Sequence, residues 1–213
     1  MTWSLTNIKQ LGVLGVSAHI ENDGENNREQ YQLFYTSIER SGLAIDGLSS
    51  TLKLSQQGKL NNVKDLTIVT LKDGERRAYY IDQYVIYTAS ISDNGLILSD
   101  ISSTGISNTN ENKKTAWGVP DAVVLPDGRV RLYWVDDDTG FETLADEHIV
   151  SATSASTQGK SFTIDEGKRV ENGYVDFEVL QAKDNDWIAI MSSSPETVPV
   201  KSQGIYMGTS DDG

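Results

Sequence analysis

Alternation of hydrophobic and polar residues dominates the chain, and helical periodicity is hard to find. The segment Asp121–Asp137, DAVVLPDGRVRLYWVDD, contains two alternating runs joined by Pro126-Asp127-Gly128. Proline restricts φ, aspartate favours local hydrogen bonds and glycine tolerates positive φ, so this triplet suits a tight turn. The pattern therefore predicts a β-hairpin.

The hairpin pattern recurs along the chain. Similar stretches begin at Asp65, Asp121 and Asp176, with starting points about 55 residues apart. Each hairpin is followed by a third alternating run that ends in a polar turn: VIYTASISDNG, HIVSATSASTQG and GIYMGTSDDG. A fourth run follows two of these turns, LILSDISS after Gly95 and KSFTIDEGKRV after Gly159. A repeat of this kind is typical of a four-stranded antiparallel propeller blade.

A looser first copy precedes these three, so the sequence predicts an all-β propeller of four four-stranded antiparallel blades. The predicted blades cover about 13–60, 61–106, 117–170 and 173–213. The last copy lacks a fourth run, whereas residues 2–12 form an unmatched run. We therefore predict that 2–12 completes the last blade and closes a single domain, 1–213, because closure protects the strand edges. A truncated five-bladed propeller is the alternative.

Composition narrows the partners of this predicted propeller. The net charge is −13, and the 18 Lys and Arg residues are scattered. Nucleic acid is excluded as a partner, since phosphate binding needs a clustered positive surface. The sequence contains no run of about 18 apolar residues, which is the length that a membrane-spanning helix needs. The absence of cysteine excludes disulfides and thiolate metal sites. No signal peptide is visible. The sequence does not determine the cellular compartment, and an extracellular location is slightly favoured.

The polar turns carry a family resemblance. TASISDNGLIL, SATSASTQGKSFT and the split GTSDDG/MTW resemble the Asp-box repeat of sialidase-type propellers, Ser-x-Asp-x-Gly-x-Thr-Trp/Phe. Asp93 and Asp211 keep the aspartate of that repeat, and Thr157 replaces it in another copy. The stretch VPDAVVLPDGRVRLYW resembles the five-bladed glycoside hydrolases, such as arabinanases and β-xylosidases. The resemblance implies a propeller fold over nearly the whole chain.

Acidic residues at the starts of first strands form the candidate site. The first strand of a propeller blade is innermost, so Asp65, Asp121 and Asp176 are predicted to converge on a central opening. The resemblance implies that such aspartates act as general base and as modulator of the general acid's pKa, with a glutamate as that acid. Glu178 lies two residues after Asp176, and strand alternation places both on one face.

Clustered carboxylates suit glycosidic cleavage, which needs one carboxyl group protonated and another ionised. We interpret Asp65 and Asp121 as base or pKa modulator and Glu178 as acid, with Asp176 as an alternative acid. Two other interpretations stay open. Each aspartate could instead brace a loop by accepting backbone N–H bonds. Alternatively, Asp65, Asp121 and Asp176 could bind Ca²⁺ in the central channel, because Ca²⁺ prefers oxygen ligands.

Two further residues are candidates for binding. Trp117 precedes Asp121 in a predicted loop, where its face could stack on a sugar ring. His19 lies near the place where the first copy lacks a leading aspartate. The sequence favours a carbohydrate-binding or interaction propeller with a central acidic opening, whose partner is a carbohydrate or another protein. A glycoside hydrolase acting at the same opening is the alternative.

Overall fold

The computed structural model describes residues 13–23, 28–37, 60–108, 117–137, 146–181, 186–194 and 204–212. The chain divides into two compact units, Met1–Asn61 and Asn62–Gly213. In the first unit, β1 (Val13–Asp23) and β2 (Arg28–Ser37) pair antiparallel as a two-stranded sheet. The predicted closing strand, residues 2–12, lies outside the described residues.

Three antiparallel sheets build the second unit, each with its strands in chain order. Their strands are β3 (Lys64–Thr70), β4 (Arg76–Asp82), β5 (Val85–Ile91) and β6 (Leu98–Ser107); β7 (Gly118–Val124), β8 (Val130–Asp137), β9 (Glu147–Ser154) and β10 (Phe162–Ile164); and β11 (Tyr174–Gln181), β12 (Trp187–Ser193) and β13 (Ile205–Ser210). The described residues are thus all-β and antiparallel. They include no helix long and apolar enough to cross a membrane.

Tight turns join the first two strands of the β3–β6 and β7–β10 sheets. Gly74 and Gly128 occupy these turns with φ of 89° and 91°, a conformation that glycine adopts without steric cost. Asp73 and Asp127 each accept the backbone N–H two residues further along, at 3.0 and 2.9 Å. The hairpin predicted from Pro126-Asp127-Gly128 is confirmed, and its equivalent recurs one sheet earlier.

Polar turns connect the third and fourth strands of the same two sheets. Gly95 donates its N–H to the carbonyl of Ser92 between β5 and β6, at 2.8 Å. Gly159 does the same to Ser156 between β9 and β10, at 3.3 Å. Both turns lie where the repeat pattern placed them. The β11–β13 sheet has three strands among the described residues, so its predicted fourth strand stays a prediction.

Two hydrophobic cores lie between neighbouring sheets. The core between the β3–β6 and β7–β10 sheets contains Val69, Leu71, Tyr79, Ile81, Ile86, Ile106, Trp117, Ala122, Val130, Leu132, Trp134 and Ala152. The core between the β7–β10 and β11–β13 sheets contains Val123, Leu125, Tyr133, Val135, Ile149, Val175, Phe177, Trp187, Ala189 and Met191. The β7–β10 sheet is therefore packed on both faces, as sheets are within a propeller.

Strand β8 shows how the sequence produces this double packing. Leu132 and Trp134 belong to one core, whereas Tyr133 and Val135 belong to the other. Successive side chains of a strand point to opposite faces, so a strand covered on both sides needs apolar residues at every position. The run Leu132–Val135 satisfies this requirement and is at most 2% exposed.

Candidate functional site

The first strand of each sheet in the second unit contains the same irregularity. The pairing register shifts within β3, β7 and β11, near the start of each strand. Within these shifts Asp65, Val119 and Asp176 adopt φ of 48°, 46° and 52°. A β-bulge inserts an extra residue opposite the partner strand, and positive φ is uncommon for residues other than glycine. The three bulges are therefore one repeated feature of the fold.

Regular pairing resumes two residues after each bulge residue, at Thr67, Asp121 and Glu178. These residues pair with Tyr79, Tyr133 and Ile190 on the second strands. In all three sheets the paired residue lies the same number of positions further along the chain. Thr67, Asp121 and Glu178 are consequently the structurally equivalent positions of the three sheets.

This register corrects the predicted equivalence of Asp65, Asp121 and Asp176. Asp65 and Asp176 are bulge residues, whereas Asp121 lies two positions later in its strand, and Val119 occupies the bulge of β7. The leading aspartates misled the alignment of the repeats, because two of them occupy the bulge and the third lies two positions after it, a difference that the hydrophobic pattern does not show. The tight turns would have been a better guide, since aligning Asp73 with Asp127 also aligns Thr67 with Asp121.

Asp121 is buried and bridges three sheets. Its side chain is 7% exposed. One carboxylate oxygen, Oδ1, accepts a hydrogen bond from the Thr67 hydroxyl of β3 at 3.1 Å. The other oxygen, Oδ2, accepts the backbone N–H of Val179 on β11 at 2.7 Å. Burial raises the pKa of Asp121 to about 6, although the donors from Val179, Ala122 and Thr67 favour the ionised form.

Glu178 lies on β11, next to the residue whose amide binds Asp121. Its side chain is exposed to solvent, yet the surrounding protein removes part of the hydration of the carboxyl group. This desolvation, together with the negative charges of Asp121 and Asp176, raises the pKa of Glu178 to about 7. Glu178 is therefore a carboxyl group that gains or loses a proton near neutral pH.

Asp65 and Asp176 extend this group of carboxylates. Burial raises the pKa of Asp65, the positive charge of Lys64 partly opposes the effect, and the negative charge of Asp176 adds to it. Asp176 is exposed, and its Oδ2 accepts a hydrogen bond from the Ser192 hydroxyl at 2.6 Å. Asp176 thus acts electrostatically on both Asp65 and Glu178, and the four predicted acids influence one another.

The remaining predicted site residues are placed differently. Trp117 is 8% exposed and packs in the core between the β3–β6 and β7–β10 sheets, so its face is not open for stacking on a sugar. His19 lies on β1, where the structure describes the strand but not the side chain. Its role in binding stays a prediction.

The metal interpretation finds no support in the described part of the chain. No group of three His, Cys, Asp or Glu side chains there is arranged to hold a metal ion. For the predicted set of Asp65, Asp121 and Asp176 a physical reason is visible. Asp121 is buried and both of its oxygens already accept hydrogen bonds from protein donors, so it is poorly placed as a Ca²⁺ ligand.

Sequence reasoning missed two partners of Asp121, the hydroxyl of Thr67 and the main-chain amide of Val179. Threonine is common in strands, and a backbone amide has no signature in the sequence at all. The turn alignment would have drawn attention to Thr67, because it places this residue at the position of the repeat that Asp121 occupies in the next copy. The contact with Val179 could be found only in the folded chain.

No protein-family model and no curated protein sequence matches the chain. Solved structures do resemble it. An endo-1,4-β-xylanase from Bacteroides thetaiotaomicron superposes with a TM-score of 0.63 at 15% identity, over 89% of this chain and 69% of the xylanase. An endo-arabinase from the same organism gives 0.50 at 12% identity, over 66% of this chain and 54% of the arabinase.

A glycoside hydrolase family 43 protein from Bacillus licheniformis gives a TM-score of 0.51 at 11% identity. That match covers 70% of this chain and 30% of the hydrolase. At these identities the likeness concerns the fold alone: the all-β antiparallel sheets of this chain resemble those of family 43 glycoside hydrolases, which are themselves five-bladed β-propellers. The chain spans about half the length of the arabinase and less than a third of the hydrolase. The number of blades and the sialidase-like Asp boxes stay predictions.

Proposed function

We propose that this chain is a carbohydrate-active propeller in which Glu178 protonates a glycosidic oxygen and Asp121 keeps that proton on Glu178. The observation that carries the proposal is the pair itself. The two carboxyl groups occupy equivalent positions of neighbouring sheets, and the pKa of Glu178 is raised to about 7. A general acid works best when its pKa lies near the working pH, and paired carboxyl groups with separated pKa values are a recurring means to this end.

Burial and hydrogen bonding define the role of Asp121 in this proposal. Both of its oxygens accept hydrogen bonds from protein donors and its side chain is 7% exposed. Asp121 therefore does not contact the substrate. Its negative charge disfavours ionisation of Glu178 and leaves the acid protonated at a higher pH than a solvated glutamate.

Asp65 is the general base in this proposal. It is half-buried and remains partly accessible to water, unlike Asp121. In the reaction, Asp65 accepts a proton from a water molecule, the water oxygen bonds to the anomeric carbon, and the bond to the leaving oxygen breaks. Glu178 gives its proton to that oxygen. The negative charge of Asp176 raises the pKa of both Asp65 and Glu178.

A propeller that binds a saccharide or another protein without turnover is the second candidate. It is favoured by the contacts of Asp121, which join β3, β7 and β11 in the manner of a structural brace. In that case the carboxyl groups would bind ligand hydroxyl groups rather than transfer protons. The two candidates share the site and differ in whether a bond is cleaved.

Glu178→Gln tests the proposal, because glutamine keeps the shape of the side chain and cannot donate the acid proton. The ligands are xylan and arabinan oligosaccharides, chosen from the substrates that the names of the structural neighbours imply. We expect hydrolysis by the unmodified protein and a loss of at least about 100-fold in the variant, with calorimetric binding retained. Glu166→Gln, at an exposed glutamate after β10, is the matched control.

The outcomes separate the two candidates. Hydrolysis that disappears in Glu178→Gln and persists in Glu166→Gln supports the hydrolase. Binding without release of reducing ends, in the unmodified protein, overturns the hydrolase and supports the binding propeller. If the unmodified protein neither binds nor hydrolyses xylan and arabinan oligosaccharides, the hydrolase proposal and a binding site for these saccharides are both overturned, and a protein partner is left as the ligand of the second candidate.

A further inference from the structure

We propose that Thr67 is a positioning residue for the carboxyl pair, whose hydroxyl keeps Asp121 ionised and so places the shared proton on Glu178. The effect of Thr67 on hydrolysis rests on the proposed function. Its effect on which of the two carboxyl groups, Asp121 or Glu178, holds the proton does not. The inference starts from geometry. The Thr67 hydroxyl lies 3.1 Å from Asp121 Oδ1, and the two side chains are 8% and 7% exposed.

The repeat shows why a hydroxyl at this position matters. Thr67 occupies in β3 the position that Asp121 occupies in β7 and Glu178 in β11. A third carboxylate there would add a negative charge beside the buried Asp121 and would destabilise its ionised form. Threonine instead supplies a hydrogen-bond donor to that carboxylate. The three equivalent positions thus hold a donor, a buried acceptor and an exposed acid.

The two oxygens of Asp121 differ in the kind of partner that they face. Oδ2 faces the Val179 N–H, which can only donate, so this oxygen must be an acceptor. Oδ1 faces the Thr67 hydroxyl, which can donate to a carboxylate or accept from a protonated carboxyl group. A proton on Asp121 would therefore reside at Oδ1, and the hydrogen bond from Thr67 to this oxygen opposes protonation of Asp121.

Other titratable groups near the pair come from three strands. Asp176 on β11 adds negative charge next to Glu178. On β3, Asp65 and Lys64 carry opposite charges, and Asp65 is influenced by Asp176. On β8, burial raises the pKa of Tyr133, so this residue is neutral and adds no charge. Removing the Thr67 hydroxyl leaves all of these groups in place and changes the hydrogen bonding of Asp121 alone.

Thr67→Val is the direct test, since valine has nearly the same shape and lacks the hydroxyl. The measurement is a ¹³C NMR titration of the carboxyl carbons of Asp121 and Glu178, with the Glu178 signal assigned from Glu178→Gln. A donor to a carboxylate favours the ionised form, and one such bond corresponds to about one pH unit. We expect the Asp121 midpoint to rise by about that amount and the Glu178 midpoint to fall.

Two matched variants complete the design. Thr67→Ser retains the hydroxyl and should restore both midpoints. Thr70→Val changes an exposed threonine at the end of the same strand and should leave both unchanged. If Thr67→Val does not fold, Thr67→Cys supplies a weaker donor and should move the midpoints in the same directions by less.

Unchanged midpoints in folded Thr67→Val, or in Thr67→Cys, overturn the proposal. The titration needs no substrate, so it remains decisive if the protein proves not to hydrolyse any polysaccharide. If hydrolysis is found, the alkaline limb of the pH profile of kcat/KM should move to lower pH in Thr67→Val and return in Thr67→Ser. A purely structural role of Thr67 would lower activity at every pH without moving that limb.

Discussion

Glu178→Gln also tests the carboxyl pair through stability, without any ligand. The pKa of Glu178 is raised from 4.5 to about 7 by desolvation and by Asp121 and Asp176. Because the folded-state pKa lies above the unfolded-state value, the folded chain binds the proton more tightly. The stability contributed by this proton is fully present below about pH 4.5 and is lost as the pH rises through about 7.

The magnitude follows from the two pKa values. For a group shielded from water, the difference between 4.5 and about 7 corresponds to about 3 kcal/mol. Glu178 is exposed, and solvent screening reduces the value to about 1 kcal/mol. Glutamine carries no charge at any pH. Relative to the unmodified protein, Glu178→Gln should therefore gain about 1 kcal/mol in free energy of unfolding between pH 4 and pH 8.

Urea unfolding at pH 4, 6 and 8 measures this difference, with tryptophan fluorescence as the signal. Glu166→Gln is the control, since it makes the same substitution at another exposed glutamate, and its free energy of unfolding should follow that of the unmodified protein. A constant difference between Glu178→Gln and the unmodified protein across this range would refute the reasoning. Such a result would mean that Glu178 titrates like a solvated glutamate, and the electrostatic basis of the proposed general acid would be lost.

Three further substitutions test the packing between sheets by urea unfolding. Tyr79→Phe removes a buried hydrogen bond of 2.8 Å to the carbonyl of Gly159 and should cost about 1–2 kcal/mol; an unchanged midpoint would show that this bond does not contribute. Gly159→Ala should cost about 2 kcal/mol more than Gly74→Ala, since both glycines have positive φ but only at Gly159 would a Cβ overlap the Tyr79 hydroxyl. Equal costs would contradict this close approach. Leu132→Ala should cost about 2–5 kcal/mol because Leu132 is fully buried in the core, and a cost below 1 kcal/mol would mean that the core is not formed as described.

The repeated hairpins are what the sequence determined most securely. A two-residue hydrophobic period and a turn such as Pro126-Asp127-Gly128 are local properties, because strand geometry and φ preferences act within a few residues. The same holds for the polar turns at Gly95 and Gly159, which lie between third and fourth strands as their positions in the repeat predicted. The all-β antiparallel fold could therefore be predicted from the pattern alone.

The register at the start of each first strand was decided only by the tertiary structure. Asp65, Asp121 and Asp176 look equivalent in the sequence, yet Asp65 and Asp176 are bulge residues, whereas Asp121 lies two positions after the bulge of its strand. A bulge depends on pairing with the neighbouring strand, and the hydrophobic pattern does not record it. Trp117 is a similar case, because its burial depends on the side chains of another sheet.

The electrostatic state of the carboxyl groups was also beyond the sequence. The sequence indicated Asp121 and Glu178 as site residues. The hydrogen-bond partners of Asp121, however, are a hydroxyl group 54 residues earlier and a backbone amide 58 residues later. A pKa is shifted by burial, by nearby charges and by hydrogen bonds, and all three arise when β3, β7 and β11 come together. Local sequence thus determined which acids the protein has and on which strands they lie, whereas the packing of the sheets determined which one is buried and which one holds a proton.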